Sequence, residues 1–333
     1  MVRLLVLFGI ACSVVAFVPT TTPSPRRASW WTLLSASSRA RDLIQSLFEE
    51  HDCFSTEAGV RAFGDVCAYN VVYEDRFEAQ PLQGKSAVIQ HLLQRVTQKQ
   101  GKGTIRLDKI TDGDRACGFL WTWVTPQEEG LRGTTLVQLN EKGEIEYVSE
   151  FPEPLYKPGD ATKDLLKALT AGETWKPFQP FEEKNPTIAC ELVKYLFEDL
   201  QAADPQIAQN YMMRFWSDNV VYHDFNFEEP LRGPQQVLEF TQDFSFPGIT
   251  FRPLRYDDGQ DSACFTWEVV LGDIPDSIKG ISFYELDPKS RKIVYVRDIA
   301  ESAIKPPIFG KLARQLRPGL GVFRGVPLGS RRT

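Results

Sequence analysis

The spacing of apolar residues alternates between helical and strand-like periods in an order that occurs twice. In the first half this spacing predicts helices at 41–50, 56–63 and 86–96 and strands at 71–75, 104–110, 116–124, 131–139 and 145–151. In the second half it predicts helices at 188–200, 205–215 and 235–244 and strands at 220–225, 250–256, 262–271, 278–286 and 293–299. Helices, a short strand, another helix and four long antiparallel strands make an α+β unit.

A fifteen-residue window is repeated in the two halves. Residues 70–84 and 219–233 align without a gap at a spacing of 149, and eight of their fifteen positions are identical. Ordinary composition gives about one identity by chance over such a window. The identical residues form Asn-Val-Val-Tyr-x-Asp followed by Pro-Leu-x-Gly, and an Ile-x-Tyr-Val run begins the last strand of each half at Ile145 and Ile293. The chain is therefore predicted to contain a duplicated domain.

The repeat and the composition between its copies set the expected boundaries. We predict domain 1 at 41–154, a linker at 155–185 and domain 2 at 186–301. Proline and glycine interrupt both ends of the linker, and a short helix is expected at 162–169. The helix at 56–63 is expected to be capped by Ser55.

These motifs resemble the nuclear-transport-factor-2-like and SnoaL-like superfamily, and the closer likeness is to uncharacterised chloroplast proteins of plants and algae with this fold. The residues that carry the resemblance are the Val-Val-Tyr-x-Asp strand, the Pro-Leu-x-Gly turn before a helix and the Ile-x-Tyr-Val strand. The resemblance implies two tandem cone domains, each with helices packed on a curved antiparallel sheet around a cavity. It covers both repeats, but the superfamily includes isomerases, cyclases, dehydratases and non-catalytic binders, so the fold leaves the function open.

A tyrosine and an aspartate recur on one face of the duplicated strand. Alternation gives that face Tyr73 and Asp75 in domain 1, and Tyr222 and Asp224 in domain 2. A phenol beside a carboxylate in a closed cavity can polarise a carbonyl and move a proton. The alternative is structural, with Tyr and Asp satisfying each other and capping the neighbouring turn.

Further candidate residues lie on the opposite face and on the later strands. His223 titrates near neutral pH and is a candidate acid or base, although a structural role is the alternative. Asp298, at the end of the last strand, is a second candidate base or a solvated strand end. Trp121 and Trp267 could line a pocket for a flat apolar ligand or belong to the core. The three histidines lack ligand spacing, and no nucleotide fingerprint is present, so neither a metal nor a cofactor is predicted.

The composition of the first forty residues is typical of a targeting sequence. An apolar run from Leu4 to Phe17, preceded by Arg3, predicts a signal peptide at 1–16, and the acid-free segment 17–40 has transit-peptide composition. The Ala16-Phe17-Val18-Pro19 junction resembles the bipartite presequence of algae with secondary plastids, which implies plastid localisation. Plain secretion is the alternative.

Charge is distributed unevenly along the chain. All 44 acidic residues lie within 42–301 with 26 of the 38 basic residues, which gives this body a net charge of −18. Such an acidic body argues against nucleic-acid binding. The segment 302–333 contains seven Lys and Arg residues and no acid, and its apolar residues are spaced by four. This tail is predicted either to lie on an anionic membrane surface or to dock on the acidic body.

The sequence supports three functional hypotheses. The first is a plastid protein whose two domains bind a small apolar ligand or a protein partner without catalysis. The second is a SnoaL-like isomerase or cyclase acting on a small apolar carbonyl compound through Tyr222, His223 and Asp224. The third is a scaffold in which the two domains form an internal pseudo-dimer and the basic tail contacts the thylakoid membrane.

Overall fold

The computed structural model describes residues 40–78, 80–99, 102–274 and 277–301. The predicted signal peptide at 1–16, all but the last residue of the transit-like segment 17–40 and the basic tail 302–333 lie outside the described residues. No helix among the described residues is long and apolar enough to cross a membrane.

Two units with the same order of elements follow each other along the chain. The elements of domain 1 are α1 (Ala40–His51), α2 (Glu57–Asp65), β1 (Cys67–Asp75), β2 (Leu82–Gln83), α3 (Lys85–Lys99), β3 (Thr104–Ile110), β4 (Ala116–Val124), β5 (Glu129–Leu139) and β6 (Ile145–Pro152). The linker contributes α4 (Ala161–Leu169). The elements of domain 2 are α5 (Ala189–Lys194), α6 (Pro205–Met212), β7 (Trp216–Asp224), β8 (Leu231–Arg232), α7 (Gly233–Asp243), β9 (Ile249–Tyr256), β10 (Ser262–Leu271), β11 (Ile278–Leu286) and β12 (Ile293–Ala300).

Each domain is built on a six-stranded mixed sheet. The strand orders are β2-β1-β6-β5-β4-β3 and β8-β7-β12-β11-β10-β9. The first long strand pairs in parallel with the last one in each sheet, and the remaining neighbours are antiparallel. The prediction of an α+β fold with two tandem domains is confirmed, and the parallel pair places the end of the duplicated Tyr-x-Asp strand beside the end of the last strand.

The repeated Pro-Leu-x-Gly turn starts the helix that crosses each sheet. Gly84 and Gly233 have φ angles of 85° and 77°. Glycine adopts this left-handed conformation without steric cost, which explains its presence in both copies. The turn also forms the short strands β2 and β8, which the sequence pattern did not predict.

Two local expectations differ from the structure. The N-cap of α2 is Thr56, whose side chain accepts a hydrogen bond from the Gly59 amide at 2.9 Å, whereas the Ser55 hydroxyl accepts one from the Ile105 amide at 2.8 Å. The α-helix expected over 188–200 ends at Lys194 and continues as a π-helix over Tyr195–Asp199. Phe197 lies within this π-helix, and its ring centroid is 4.8 Å from that of Phe265.

The outer faces of the two sheets meet in an apolar cluster. Its fully buried members are Leu120, Leu136 and Phe151 from domain 1 and Cys264, Ile281, Phe283 and Ile299 from domain 2. The side chains of Cys117 and Cys264 are both fully buried. Burial of these apolar side chains contributes to the attraction between the domains.

Reciprocal hydrogen bonds surround this cluster. Asp112 of domain 1 accepts from the backbone amides of Gln260 and Ser262, and Asp258 of domain 2 accepts from those of Arg115 and Ala116. These donors and acceptors occupy equivalent hairpins in the two domains. Each hairpin therefore depends on the other domain to satisfy its backbone.

Candidate functional site

The Tyr-x-Asp strand points the tyrosine and the aspartate of its motif into the body of each domain. Tyr73 and Asp75 on β1 are buried, as are Tyr222 and Asp224 on β7, while Glu74 and His223 between them are half-buried on the other face. This is the division that strand alternation predicts.

The parallel pairing of the first and last long strands places a second carboxylate beside the first. Strand alternation alone did not predict this neighbour. The register pairs Asp75 with Glu150 and Asp224 with Asp298. The Tyr73 hydroxyl donates to Glu150 Oε2, and the Tyr222 hydroxyl donates to Asp298 Oδ2. Each site therefore combines the tyrosine and aspartate of one strand with the carboxyl group that ends the parallel strand beside it.

The structural alternative for the Tyr and Asp pair needs correction in one respect. The aspartates do cap the following turn, because Asp75 Oδ1 accepts from the Phe77 amide at 2.8 Å and Asp224 Oδ1 accepts from the Asn226 amide at 2.9 Å. The tyrosines, however, bond the carboxylate of the last strand and not the aspartate two residues away.

In domain 1 two side chains from α3 contact the carboxylate pair. Arg95 forms a bidentate pair with Glu150, with Nη1 at 2.6 Å from Oε2 and Nη2 at 2.8 Å from Oε1. Its Nη1 also lies 3.5 Å from Asp75 Oδ2, and His91 Nε2 lies 2.8 Å from the same oxygen. The side chains of Asp75 and Glu150 are 0 % and 6 % exposed. This buried ion cluster fills the position of the domain 1 site.

The electrostatics of domain 1 follow from these ion pairs. Burial alone would raise the pKa of Asp75, but the His91 hydrogen bond and the Arg95 charge together lower that pKa below its ordinary value. Burial, followed by the Glu150 charge, raises the pKa of Tyr73 well above its ordinary value. The carboxylate of Asp75 is thus held ionised, and the phenol of Tyr73 is held neutral.

In domain 2 phenylalanines replace both of these α3 side chains. At the spacing of 149, Phe240 and Phe244 of α7 correspond to His91 and Arg95 of α3. Both rings line a cavity of about 560 Å³ that also contains Tyr222, Asp224 and Asp298. None of the described residues that line this cavity is Lys, Arg or His.

The carboxyl groups of domain 2 are consequently hard to ionise. Burial, reinforced by the charge of Asp298, raises the pKa of Asp224 to about 7. Burial also raises the pKa of Asp298 to about 6, against the lowering effect of hydrogen bonds from Ser282 and Tyr222. Asp298 Oδ1 is buried without a hydrogen-bond partner among the described residues. The pair therefore exchanges protons near neutral pH.

Aromatic rings form the walls around these groups. Tyr222 contacts Trp216 and Phe240, with ring centroids 6.2 and 5.4 Å apart, and Phe240 contacts Phe244 at 5.0 Å. Trp267 also lines the cavity, and its indole Nε1 donates to Ser282 at 2.8 Å. Its counterpart Trp121 is buried in domain 1 and donates to Thr135 at 3.1 Å.

His223 lies apart from this group. Its imidazole packs 5.6 Å from the ring of Tyr295, on the face of the sheet that meets domain 1, and His223 is not among the residues that line the cavity. Burial, followed by the charge of Arg297, lowers the pKa of His223 to about 4. The imidazole is therefore neutral at physiological pH.

The linker supplies a wall of the cavity that sequence reasoning missed. Leu165 and Leu166 of α4, together with Trp175, line the cavity. The Thr162 hydroxyl donates to the Asn226 side chain at 2.6 Å, which ties α4 to the turn that Asp224 caps. The amphipathic spacing of 161–169 was the available signal, but a helix pattern does not reveal which domain the helix covers.

Metal-binding geometry is not found near these groups. Across 40–78, 80–99, 102–274 and 277–301, no three His, Cys, Asp or Glu side chains are grouped so that they could hold a metal ion.

Comparison with known proteins concerns domain 2 and the fold. No curated protein is significantly similar in sequence to the chain. A steroid Δ-isomerase from Pseudomonas aeruginosa is 14 % identical, over 34 % of this chain and 80 % of that protein, with a TM-score of 0.27. A nuclear-transport-factor-2-like protein of unknown function from Mesorhizobium loti is 14 % identical, over 35 % of this chain and 96 % of that protein, with a TM-score of 0.29. The family model of the SnoaL-like domain matches residues 193–296, which lie within domain 2.

Proposed function

We propose that domain 2 is an acid–base catalyst of the isomerase or cyclase type that acts on a small, neutral, apolar carbonyl compound. The observation that carries the proposal is the pair Asp224 and Asp298, which lines an aromatic cavity without a cation and has raised pKa values. Carboxyl groups that exchange protons near neutral pH are suited to moving a proton along a carbon skeleton.

The different environments of the two carboxyl groups suggest their roles. Asp298 has the lower pKa and is the base that removes a proton from the carbon next to the carbonyl group. Protonated Asp224 donates to the carbonyl oxygen, so that an enol forms without a free enolate. Asp298 then returns the proton to another carbon while Asp224 recovers its own. The double bond moves, and neither protons nor electrons are gained or lost.

Neighbouring groups hold the base in place. Tyr222 donates to Asp298 Oδ2, and Ser282, which accepts a hydrogen bond from Trp267, lies opposite Asp298 in the register of β11 and β12. A base whose orientation is fixed before the substrate arrives needs little reorganisation in the transition state.

Hydrogen–deuterium exchange of a ketone tests this proposal. trans-1-Decalone in D2O, followed by proton NMR, reports removal of the proton next to the carbonyl group whether or not it is the natural substrate. The protein is expected to accelerate the exchange, and Asp298→Asn is expected to reduce it by a factor on the order of 100 or more. Asp218 is an exposed carboxylate on the same strand β7, and Asp218→Asn is the matched control. This variant should accelerate exchange of the ketone as much as the parent protein does. Exchange no faster than in buffer, or unaffected by Asp298→Asn, would contradict the proposal.

A second candidate function is ligand binding without catalysis. The aromatic walls favour it, because they bury an apolar molecule whether or not a proton moves. Calorimetric binding of trans-1-decalone without exchange would select this function over the first.

A further inference from the structure

The two domains satisfy the same carboxylate pair in different ways. Domain 1 places the guanidinium of Arg95 within 2.6 and 2.8 Å of Glu150 and 3.5 Å of Asp75. This site shows how the fold accommodates an organic cation between the ends of the first and last long strands. The cation is part of the chain, and its alkyl stem runs back to α3.

Domain 2 keeps the two carboxyl groups and lacks the cation. Phe244 occupies the position of Arg95, and none of the described residues lining the cavity is basic. Asp298 Oδ1 is left without a partner among the described residues. Two acidic groups beside an apolar cavity are costly to ionise unless an opposite charge enters with a ligand.

The walls of the cavity suit a cation with an apolar body. Tyr222 contacts both Trp216 and Phe240 next to the carboxyl groups. Aromatic faces attract an organic cation, most strongly where water is excluded. The volume of about 560 Å³ lies within the range of sites for drug-sized molecules.

We propose that the domain 2 cavity binds an amphipathic organic cation, an amine or guanidine with an apolar body, whose charged head takes the place that Arg95 occupies in domain 1. The apolar body lies against Phe240 and Phe244. This ligand class is distinct from the neutral carbonyl compound proposed above. Its binding does not require that domain 2 catalyse a reaction, and with a catalytic domain 2 such a cation is a competitive inhibitor.

Three probes with one apolar body and different charges test the proposal. 1-Adamantanamine is a cation, 1-adamantanol is neutral and 1-adamantanecarboxylate is an anion at about pH 8, where both carboxyl groups of the pair are largely ionised. Isothermal titration of the full chain is expected to give the amine an affinity at least about tenfold above that of the alcohol, with the carboxylate weakest. Equal or tighter binding of the alcohol, or binding of none of the three probes, would overturn the proposal.

Two variants locate the charged head. Asp298→Asn is expected to weaken binding of the amine by about tenfold or more, because one carboxylate partner is removed. Its affinity for the alcohol is expected to change by no more than about threefold, because the apolar walls stay. Phe244→Arg introduces the cation that domain 1 carries and is expected to abolish amine binding. Asp218→Asn is the control. Unchanged amine affinity in either variant contradicts the assignment, whereas loss of decalone exchange alone bears only on the proposed reaction.

Discussion

At the residue scale, two substitutions on one helix separate the two sites. Arg95 pairs with Asp75 and Glu150 in domain 1 and His91 contacts Asp75, whereas the described lining of the domain 2 cavity has phenylalanines at these positions and no basic side chain. A carboxylate paired with a cation is stabilised when ionised, and a carboxyl group in an apolar cavity is stabilised when protonated. At neutral pH the aspartate of the Tyr-x-Asp strand therefore stabilises domain 1 and destabilises domain 2.

This difference predicts opposite effects of amide substitution on stability. The raised pKa of Asp224 means that its contribution to folding is lost as the pH rises from about 4 through about 7. Asp224→Asn is therefore expected to raise the free energy of unfolding at about pH 8 by roughly 1–3 kcal/mol and to have little effect at about pH 4. The groups that face Asp224 are Asp298, Tyr222, Asn226 and Lys157. Urea unfolding at the two pH values provides the measurement.

Asp75→Asn provides the matched comparison in domain 1. The lowered pKa of Asp75 stabilises the fold above the ordinary aspartate value, and this stabilisation is lost only as the pH falls through the lowered pKa. Asp75→Asn is thus expected to lower the free energy of unfolding at about pH 8. If Asp224→Asn were the less stable variant at that pH, the account of the two sites would be wrong.

The sequence predicted part of this picture. Alternation placed Tyr222 and Asp224 on one face, but the bond from Tyr222 to Asp298 depends on the parallel pairing of β7 with β12, which joins residues far apart in sequence. The role of Arg95 was equally hidden, because a polar residue on an amphipathic helix usually faces solvent. His223 was a candidate base because its intrinsic pKa suits the task, yet strand alternation turns it away from the cavity.

At the element scale, the linker helix α4 belongs functionally to domain 2. Its Leu165 lines the cavity and is 36 % exposed, whereas Leu169 on the same helix is 48 % exposed and does not line the cavity. The helix also makes polar contacts with domain 2, including the ion pair of Lys163 with Asp243 at 2.8 Å. Periodicity predicted this helix, but its docking surface lies on a domain whose sequence begins later.

Leucine-to-alanine substitutions in α4 test whether the linker forms part of the binding site. Leu165→Ala is expected to weaken 1-adamantanol binding by about threefold to tenfold, since it removes apolar contact area worth about 1 kcal/mol. Leu169→Ala is the matched control and should bind like the parent. Equal affinities for the two variants in calorimetry would exclude α4 from the binding site.

At the scale of the whole molecule, the interface between the sheets is closely packed. Gly118 of β4 faces Cys264 of β10, and a Cβ at residue 118 would overlap both side-chain atoms of Cys264. Nearby, the Thr111 hydroxyl donates to Asp257 at 2.6 Å, and burial raises the pKa of Asp257 to about 8. The repeat predicted two copies of the fold, but it did not show which faces of the sheets meet.

A reciprocal exchange at this contact tests the packing. Gly118→Ala is expected to lower the free energy of unfolding by roughly 1–3 kcal/mol or more, because the added methyl group has no space. Cys264→Gly in the same chain removes the opposing side chain and should restore part of the loss, which gives a negative coupling energy in a double-mutant cycle. Additive effects in thermal or urea unfolding would show that the two positions do not touch.

The most direct test of the central claim is a titration of the aspartate carboxyl carbons by NMR, assigned with Asp224→Asn, Asp298→Asn and Asp75→Asn. The domain 2 pair is expected to titrate with apparent pKa values near 6 and 7, whereas Asp75 should titrate below its ordinary value. Titration of Asp224 and Asp298 at the ordinary aspartate value of about 3.9 would contradict a buried pair of carboxyl groups in a cavity whose described lining has no basic side chain.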